Sequence, residues 1–193
     1  MDIIWKLTDE SGILLTADVL KEGITKPSFY KFVQDNKFEQ VARGVYASPE
    51  AWADENYILS LRCPGAVFSH DEALYYYGLT DREPQRRTIT VYTGYGTGRL
   101  VKDNITVYTV KQDLLEVGKT TVTTAFGHQI PMYDRERTVC DLVRSRRRFE
   151  IQDYQTALKS YVARKDKDLN RLMKYAKLFH VDGVIREYME VML

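Results

Sequence analysis

Four groupings of residues in this 193-residue chain are of types and spacings that could do chemistry. Ser69-His70-Asp71-Glu72 places a hydroxyl, an imidazole and two carboxylates in succession, the ingredients of general-base or metal chemistry. Consecutive positions of a helix point in different directions, however, and Ser-x-x-Glu ahead of Ala73, Leu74 and Tyr77 has the spacing of a capping box. The expectation is a helix start. Gly94-Tyr95-Gly96-Thr97-Gly98 invites a phosphate-loop reading, yet such loops need G-x-G-x-x-G or G-x-x-x-x-G-K-[ST] opening onto a helix. Neither spacing is present, and the residues that follow read as a strand, so a flexible hairpin connection is expected. The third grouping is Thr25, Lys26, Ser28, Tyr30, Lys31 and Gln34, followed by Lys37 and Arg43. These are hydrogen-bond donors with no acid among them, suited to phosphates and base edges. The fourth is basic. Arg144, Arg146, Arg147 and Arg148 crowd a helix end, while Lys167, Arg171 and Lys174 recur at i, i+4 and i+7. They make one basic face, either a second footprint for a duplex, an RNA-like or an acidic partner, or a solvated surface.

Nothing else suggests catalysis. His70, His128 and His180 are far apart in sequence, and no nucleophile has an evident activating base. No catalytic residue, metal site or cofactor is expected. Cys63 and Cys140 have no ligand spacing and read as reduced core thiols of a cytoplasmic protein. The net charge of +1 gives no whole-molecule attraction to nucleic acid, but residues 135–180 carry thirteen basic against six acidic side chains. No apolar run approaches the roughly 18 residues of a membrane span. The opening Met1-Asp2-Ile3-Ile4-Trp5-Lys6 also lacks the pattern of a secretion signal, so no membrane association is expected.

Positioning the third grouping takes three short helices and a hairpin. Ile3, Ile4 and Leu7 form the stripe of a first helix, broken at Gly12. Thr16 is the expected N-cap of a second helix, with Val19 and Leu20 facing inward and Gly23 ending it. Thr25 caps a third, where Pro27 is tolerated in the first turn and Phe29, Phe32 and Val33 mark the buried side. Two short β-prone runs then flank Ala42-Arg43-Gly44. Helices followed by a hairpin with a basic tip describe a winged helix-turn-helix over residues 1–48, the third helix entering a major groove and Arg43 reaching a minor groove. A set of short helices with a solvated face is the bland alternative.

Pro49 marks the expected joint, with residues 49–193 forming a C-terminal domain. A helix is predicted over Ala51–Leu61. Strands over Thr88–Tyr92, Ile105–Val110, Thr120–Phe126 and Gln129–Tyr133 make a small, mainly antiparallel sheet. Four helical stripes then follow: Val139, Leu142, Val143; Tyr154, Ala157, Leu158, Tyr161, Val162; Leu169, Leu172, Met173, Ala176; and Ile185, Tyr188, Met189, Met192. The fold class expected is α+β, a winged helix-turn-helix followed by a domain with a helical C-terminal half.

Gly12-Ile13-Leu14-Leu15-Thr16-Ala17-Asp18-Val19-Leu20 with Gly23-Ile24, Phe29-Tyr30-Lys31-Phe32-Val33 and Val41-Ala42-Arg43-Gly44-Val45-Tyr46 resemble the N-terminal winged helix of the AbiEi family. So do Phe68-Ser69-His70-Asp71-Glu72-Ala73-Leu74, Asp134-Arg135-Glu136-Arg137-Thr138-Val139-Cys140-Asp141-Leu142, Tyr175-Ala176-Lys177 and Tyr188-Met189-Glu190-Val191-Met192-Leu193 downstream. The resemblance implies an antitoxin of an abortive-infection, type IV toxin-antitoxin system. It implies repression of its own operon by binding double-stranded operator DNA with inverted repeats. It further implies that the C-terminal domain counteracts a cognate nucleotidyltransferase-like toxin without a stable complex. The alternatives that the residues leave open are a nuclease or nucleotide-processing enzyme tethered to DNA, and a ligand-responsive repressor.

Overall fold

Gly12 fixes the first turn of the chain because no other residue fits there. Its φ is +84°, and a Cβ would lie 2.5 Å from Ser48 Oγ and 2.9 Å from Ala51 Cα. The computed structural model describes residues 2–52 and 54–192, with the side chains of Asp2 and Met192 undescribed. Met1, Ala53 and Leu193 therefore lie outside the described residues, as does the expected inward face of Met192. The chain divides into two compact units, residues 1–64 with 123–130, and residues 65–122 with 131–193. The joint expected at residue 48 falls inside the first unit, because the segment after it packs back on the same small sheet.

The first unit runs α1 (Asp2–Lys6), β1 (Ile13–Leu15), α2 (Thr16–Lys21), α3 (Lys26–Asp35), β2 (Glu39–Ala42), β3 (Val45–Ala47) and α4 (Glu55–Arg62). β1, β3 and β2 form an antiparallel sheet in that order, with Leu14 opposite Tyr46. Phe29, Phe32 and Val33 are buried as their spacing predicts, beside Ile4, Leu14, Val19, Phe38 and Tyr46. The rings of Phe29 and Tyr46 meet edge to face at 5.2 Å. Four expectations need correction. Ile3 and Leu20 are exposed, since five- and six-residue helices each offer only one buried turn. Thr16 is the first residue of α2 and Leu15 takes the cap position, because Leu15 is still paired in β1. α4 begins at Glu55, where the Asp54 carboxylate accepts the Tyr57 N–H, and not at Ala51. β1 itself is too short to show a period. It is recruited by β3, where Ile13, Val45 and Ala47 bury against Tyr57, Ile58 and Leu61 of α4.

The second unit is built on a five-stranded sheet in the order β6-β5-β4-β8-β7. Its strands are β4 (Val67–Phe68), β5 (Thr88–Tyr92), β6 (Thr106–Val110), β7 (Lys119–Thr123) and β8 (Gln129–Tyr133), the hairpin tip beyond Val122 belonging to the first unit. The sheet is mixed, not mainly antiparallel: β5 pairs antiparallel with β4 but parallel with β6, and β4 pairs parallel with β8. The glycine-rich segment is accordingly no hairpin. It leads into α6 (Gly98–Lys102) and makes the crossover that two parallel neighbours require. α5 (Asp71–Tyr76) and α7 (Gln112–Leu115) flank the strands. α8 (Arg135–Arg144), α9 (Ile151–Ala163), α10 (Leu169–Leu178) and α11 (Asp182–Met192) complete the unit, and the four predicted stripes supply most of its core. The architecture is mixed α+β. Among the described residues no helix is long and apolar enough to cross a membrane.

α8 is buried on every side from Glu136 to Val143, which a single stripe understates. Its Arg137 is the largest fully buried side chain among the described residues. The guanidinium lies 3.9 Å from the ring centres of both Tyr133 and Phe179. Nε donates to Asp141 Oδ2 at 3.0 Å, and Nη1 donates to the carbonyls of Leu114 and Val117 at 2.9 and 2.6 Å. Gly118, with φ +74°, passes so close that a Cβ would stand 2.5 Å from Arg137 Cβ. Replacing Arg137 by Leu leaves the Asp141 carboxylate buried without its cation and should cost about 3–5 kcal/mol, whereas the double replacement with Asp141→Leu should recover much of it. Urea unfolding of the two variants beside the parent measures this. Equal losses for the single and double variants would show that the packing of the rings, not the charge, carries the effect.

Candidate nucleic-acid interface

α3 forms where Thr25 Oγ1 accepts the Ser28 N–H at 3.5 Å and Pro27 occupies the first turn. With Phe29, Phe32 and Val33 turned inward, Lys26, Ser28, Tyr30, Lys31 and Gln34 are all exposed. The helix has no acid in its first turn, and Asp35 at its end is exposed. The donors are not all equally free. Thr25 Oγ1 and Ser28 Oγ lie 3.0 Å apart and serve the cap. Tyr30 lays its ring against Phe29 at 5.4 Å, and the Tyr46 hydroxyl is pushed above its ordinary value by burial and then by Tyr30. Lys37 takes a left-handed conformation, φ 56°, just past the helix, where its N–H donates to the Gln34 carbonyl. Arg43 is exposed at the two-residue turn between β2 and β3. The freest donors are thus Lys26, Lys31, Gln34 and Arg43.

The residues expected to make one basic C-terminal face fall at two places in the unit. Arg144 ends α8 and Arg146–Arg148 form the following 3-10 turn. Arg171 instead approaches Glu136 in the first turn of α8, 4.0 Å away, and pairs with Asp168 at 3.5 Å. The eight steps from Glu136 to Arg144 span about 12 Å of helix. Lys167 is half-buried and donates to the Arg164 carbonyl, while Lys174 is exposed. Sequence spacing along α10 says nothing about which end of α8 that helix meets, and this is why the two groups looked continuous.

His70 is the N-cap residue of α5, with φ 52°. The expected capping box is absent, because Thr88 Oγ1 accepts the Glu72 N–H and Ser69 is turned inward. Ser69 Oγ lies 2.8 Å from Thr90 Oγ1 and 3.0 Å from His70 Nδ1, and His70 Nε2 lies 3.2 Å from Ser145 Oγ. The imidazole stacks on Tyr108 at 3.4 Å. Burial holds its pKa well below the usual imidazole value, helped by Arg144, Arg137 and Arg148. It is a neutral ring between hydroxyls.

A second histidine constellation escaped the sequence because its members are up to 119 positions apart. In the first unit His128 Nδ1 lies 2.8 Å from Asp54 Oδ2, and Nε2 lies 3.1 Å from Ser11 Oγ and 3.2 Å from Asp9 Oδ2. Tyr57 stacks on the ring at 3.9 Å. The outline is that of a Ser-His-Asp triad, but Ser11 Oγ also lies 2.8 Å from Asp9 Oδ1, to which it donates. An imidazole held between two carboxylates, with its serine engaged by one of them, is a clasp and not an activated nucleophile. Among the described residues no group of three or more His, Cys, Asp and Glu side chains is arranged to hold a metal ion. Cys63 and Cys140 are both buried, and the Cys140 thiol donates to the Leu172 carbonyl at 3.8 Å.

No protein-family model and no curated protein matches the chain. The crystal structure of the RV2827C protein from Mycobacterium tuberculosis is similar to it, with a TM-score of 0.63 over 91% of this chain and 70% of that one. The two chains share a fold. At 15% sequence identity the likeness is one of architecture alone.

Because a buried neutral His must be exposed before it can take up a proton freely, the native state should lose stability as pH falls below about 6.5, the value of a free imidazole, down through the lower value of His70. The slope should reach about 1.4 kcal/mol per pH unit. Subtracting the pH profile of His70→Gln from that of the parent isolates this contribution from the carboxylates that titrate nearby. Parallel profiles would remove it.

Proposed function

We propose that this protein is a DNA-binding transcription regulator of the cytoplasm, whose first unit acts as a winged helix-turn-helix. The observation that carries the reading is the pairing of a capped helix, α3, whose outer side presents Lys26, Lys31 and Gln34, with a tight β2–β3 hairpin exposing Arg43 at its tip. A helix of this length fits a major groove, and a basic hairpin tip fits the negative potential of a narrow minor groove. Ten residues of α3 extend about 15 Å. Thr25, Ser28, Tyr30 and Lys37 border the same surface as capping and supporting residues that can also donate to phosphates.

The resemblance to the AbiEi family supports a narrower reading: an antitoxin of a type IV, abortive-infection system that represses its own operon and counteracts a nucleotidyltransferase-like toxin without a lasting complex. On this reading the second unit carries the antitoxin activity and the protein is not an enzyme. Co-expression with a nucleotidyltransferase encoded beside it, scored by growth, tests the antitoxin role.

DNA binding has its own test. Replacing Lys31 and Arg43 together by Ala should weaken binding to the DNA upstream of the gene and reduce the salt dependence of the association constant by roughly one to two log units per log unit of salt, about 0.9 for each phosphate contact removed. Fluorescence anisotropy over a salt series reads both. An unchanged slope and affinity in a folded double variant would overturn the assignment of α3 and the hairpin.

A further inference from the structure

In the second unit, Arg144, Ser145, Arg146, Arg147 and Arg148 curve around a cavity of about 490 Å³ whose other wall is Val107, Tyr108 and Thr109 of β6. That volume lies in the range of small-molecule sites. Four arginines contribute to the lining and no acidic residue does. A solvated charge run would spread its side chains outward, but here three of the four are held, Arg146 through Nη1 to the Val143 carbonyl at 3.5 Å. Arg144 donates to the Thr109 carbonyl at 3.3 Å, and the Arg148 guanidinium sits over the Tyr108 ring at 4.8 Å. Stacking fixes the plane of a guanidinium and leaves its N–H edge free for a bidentate acceptor. Arg146 and Arg147 are exposed and complete the rim.

The wall of this cavity is joined to a polar chain in the interior. Ser145 Oγ, which lines it, is bonded to His70 Nε2, and the chain continues through Ser69 to Thr90, all three of them fully buried. The positive field reaches that depth, since Arg144 and Arg148 both disfavour a proton on His70. Asp141 lies beneath, but Arg137 already engages it. Arg148 also borders the adjoining cleft, where Asp71, Glu150 and Asp153 lie. Arg82 pairs there with Asp153 at 3.0 Å and with Glu150 at 3.7 Å.

We propose that this arginine-lined cavity is a binding site for a di- or triphosphate group, such as the phosphate chain of a nucleotide. One phosphate is served by one or two guanidiniums, so four call for more than one phosphate. Both faces of Tyr108 are occupied, one by His70 and the other by Arg148, so no aromatic platform is left to stack a base. The site recognises the phosphate chain and is indifferent to the base. The proposal does not depend on the DNA-binding reading, because all of its residues lie in the second unit.

Isothermal titration of the full chain with pyrophosphate, ATP, GTP and AMP tests it. Pyrophosphate, ATP and GTP should bind saturably and within a few-fold of one another, and AMP at least tenfold more weakly. Arg146→Gln with Arg147→Gln, a double variant at exposed positions that leaves the interior untouched, should weaken pyrophosphate at least tenfold. Arg148→Lys, which keeps the charge but loses the planar fork, should weaken it by a smaller factor, and Lys174→Gln should leave it unchanged. Absence of saturable binding, equal binding of AMP and ATP, or equal loss in the Lys174 variant would each overturn the proposal. So would displacement of pyrophosphate by random-sequence duplex DNA at matched phosphate concentration, which would make the cavity part of a backbone-contacting surface.

Discussion

A charged side chain with no exposed surface organises the second unit. Arg137 cannot be buried unless its donors find acceptors and its faces find something to lie against, and each requirement recruits a different part of the chain. The carbonyls of Leu114 and Val117 come from the segment around α7, Asp141 from the next turn of α8, Tyr133 from the end of β8 and Phe179 from the residue after α10. Tyr133 is itself tied to the Leu115 carbonyl through its hydroxyl. The same constraint dictates Gly118, whose backbone passes where a side chain would strike Arg137. α8 becomes the axis of its unit because the strand before it, the helices after it and the connection ahead of β7 all converge on this guanidinium. The arginine cluster at its far end inherits a rigid base.

What could be read from the sequence were the features whose physics is local. The i, i+3, i+4 spacing of Phe29, Phe32 and Val33, the Thr25 cap, the turn at Arg43-Gly44 and the four late apolar stripes depend on residues within two helical turns of one another. The features that stayed hidden depend on partners distant in sequence. Ile13–Leu15 is a strand only because β3 pairs with it. β5 and β6 alternate as an antiparallel pair would, and alternation carries no sign of direction, so their parallel pairing was invisible. Ser69-x-x-Glu72 has the spacing of a capping box, but Thr88 and Thr90, both from β5, claim the groups that would have formed it.

The candidate sites follow the same division. The exposed donors of α3 and the hairpin were legible, because amphipathicity declares which side of a helix is outside. The division of the basic C-terminal residues between the two ends of α8 was not, because net charge per segment cannot tell which end of a neighbouring helix a residue meets. The His128 clasp was the least legible feature. Asp9, Ser11, Asp54 and His128 belong to three separate stretches, and nothing in the local context of any one of them announces the others.

That clasp belongs to a unit the chain leaves and re-enters. Asp54 Oδ2 accepts from Thr124 Oγ1 as well as meeting His128, so the hairpin tip supplies partners that α4 and the turn after α1 lack until then. On a ribosome the first unit would therefore wait. At about 5–20 residues per second, roughly 3–13 s separate the synthesis of residue 64 from that of residue 130. During that interval Asp54 and Asp9 keep their local donors but lack the imidazole that joins them. The order of synthesis thus makes the tip of a hairpin in the middle of the chain the last piece of its amino-terminal unit, and folding of the two units is interleaved in time.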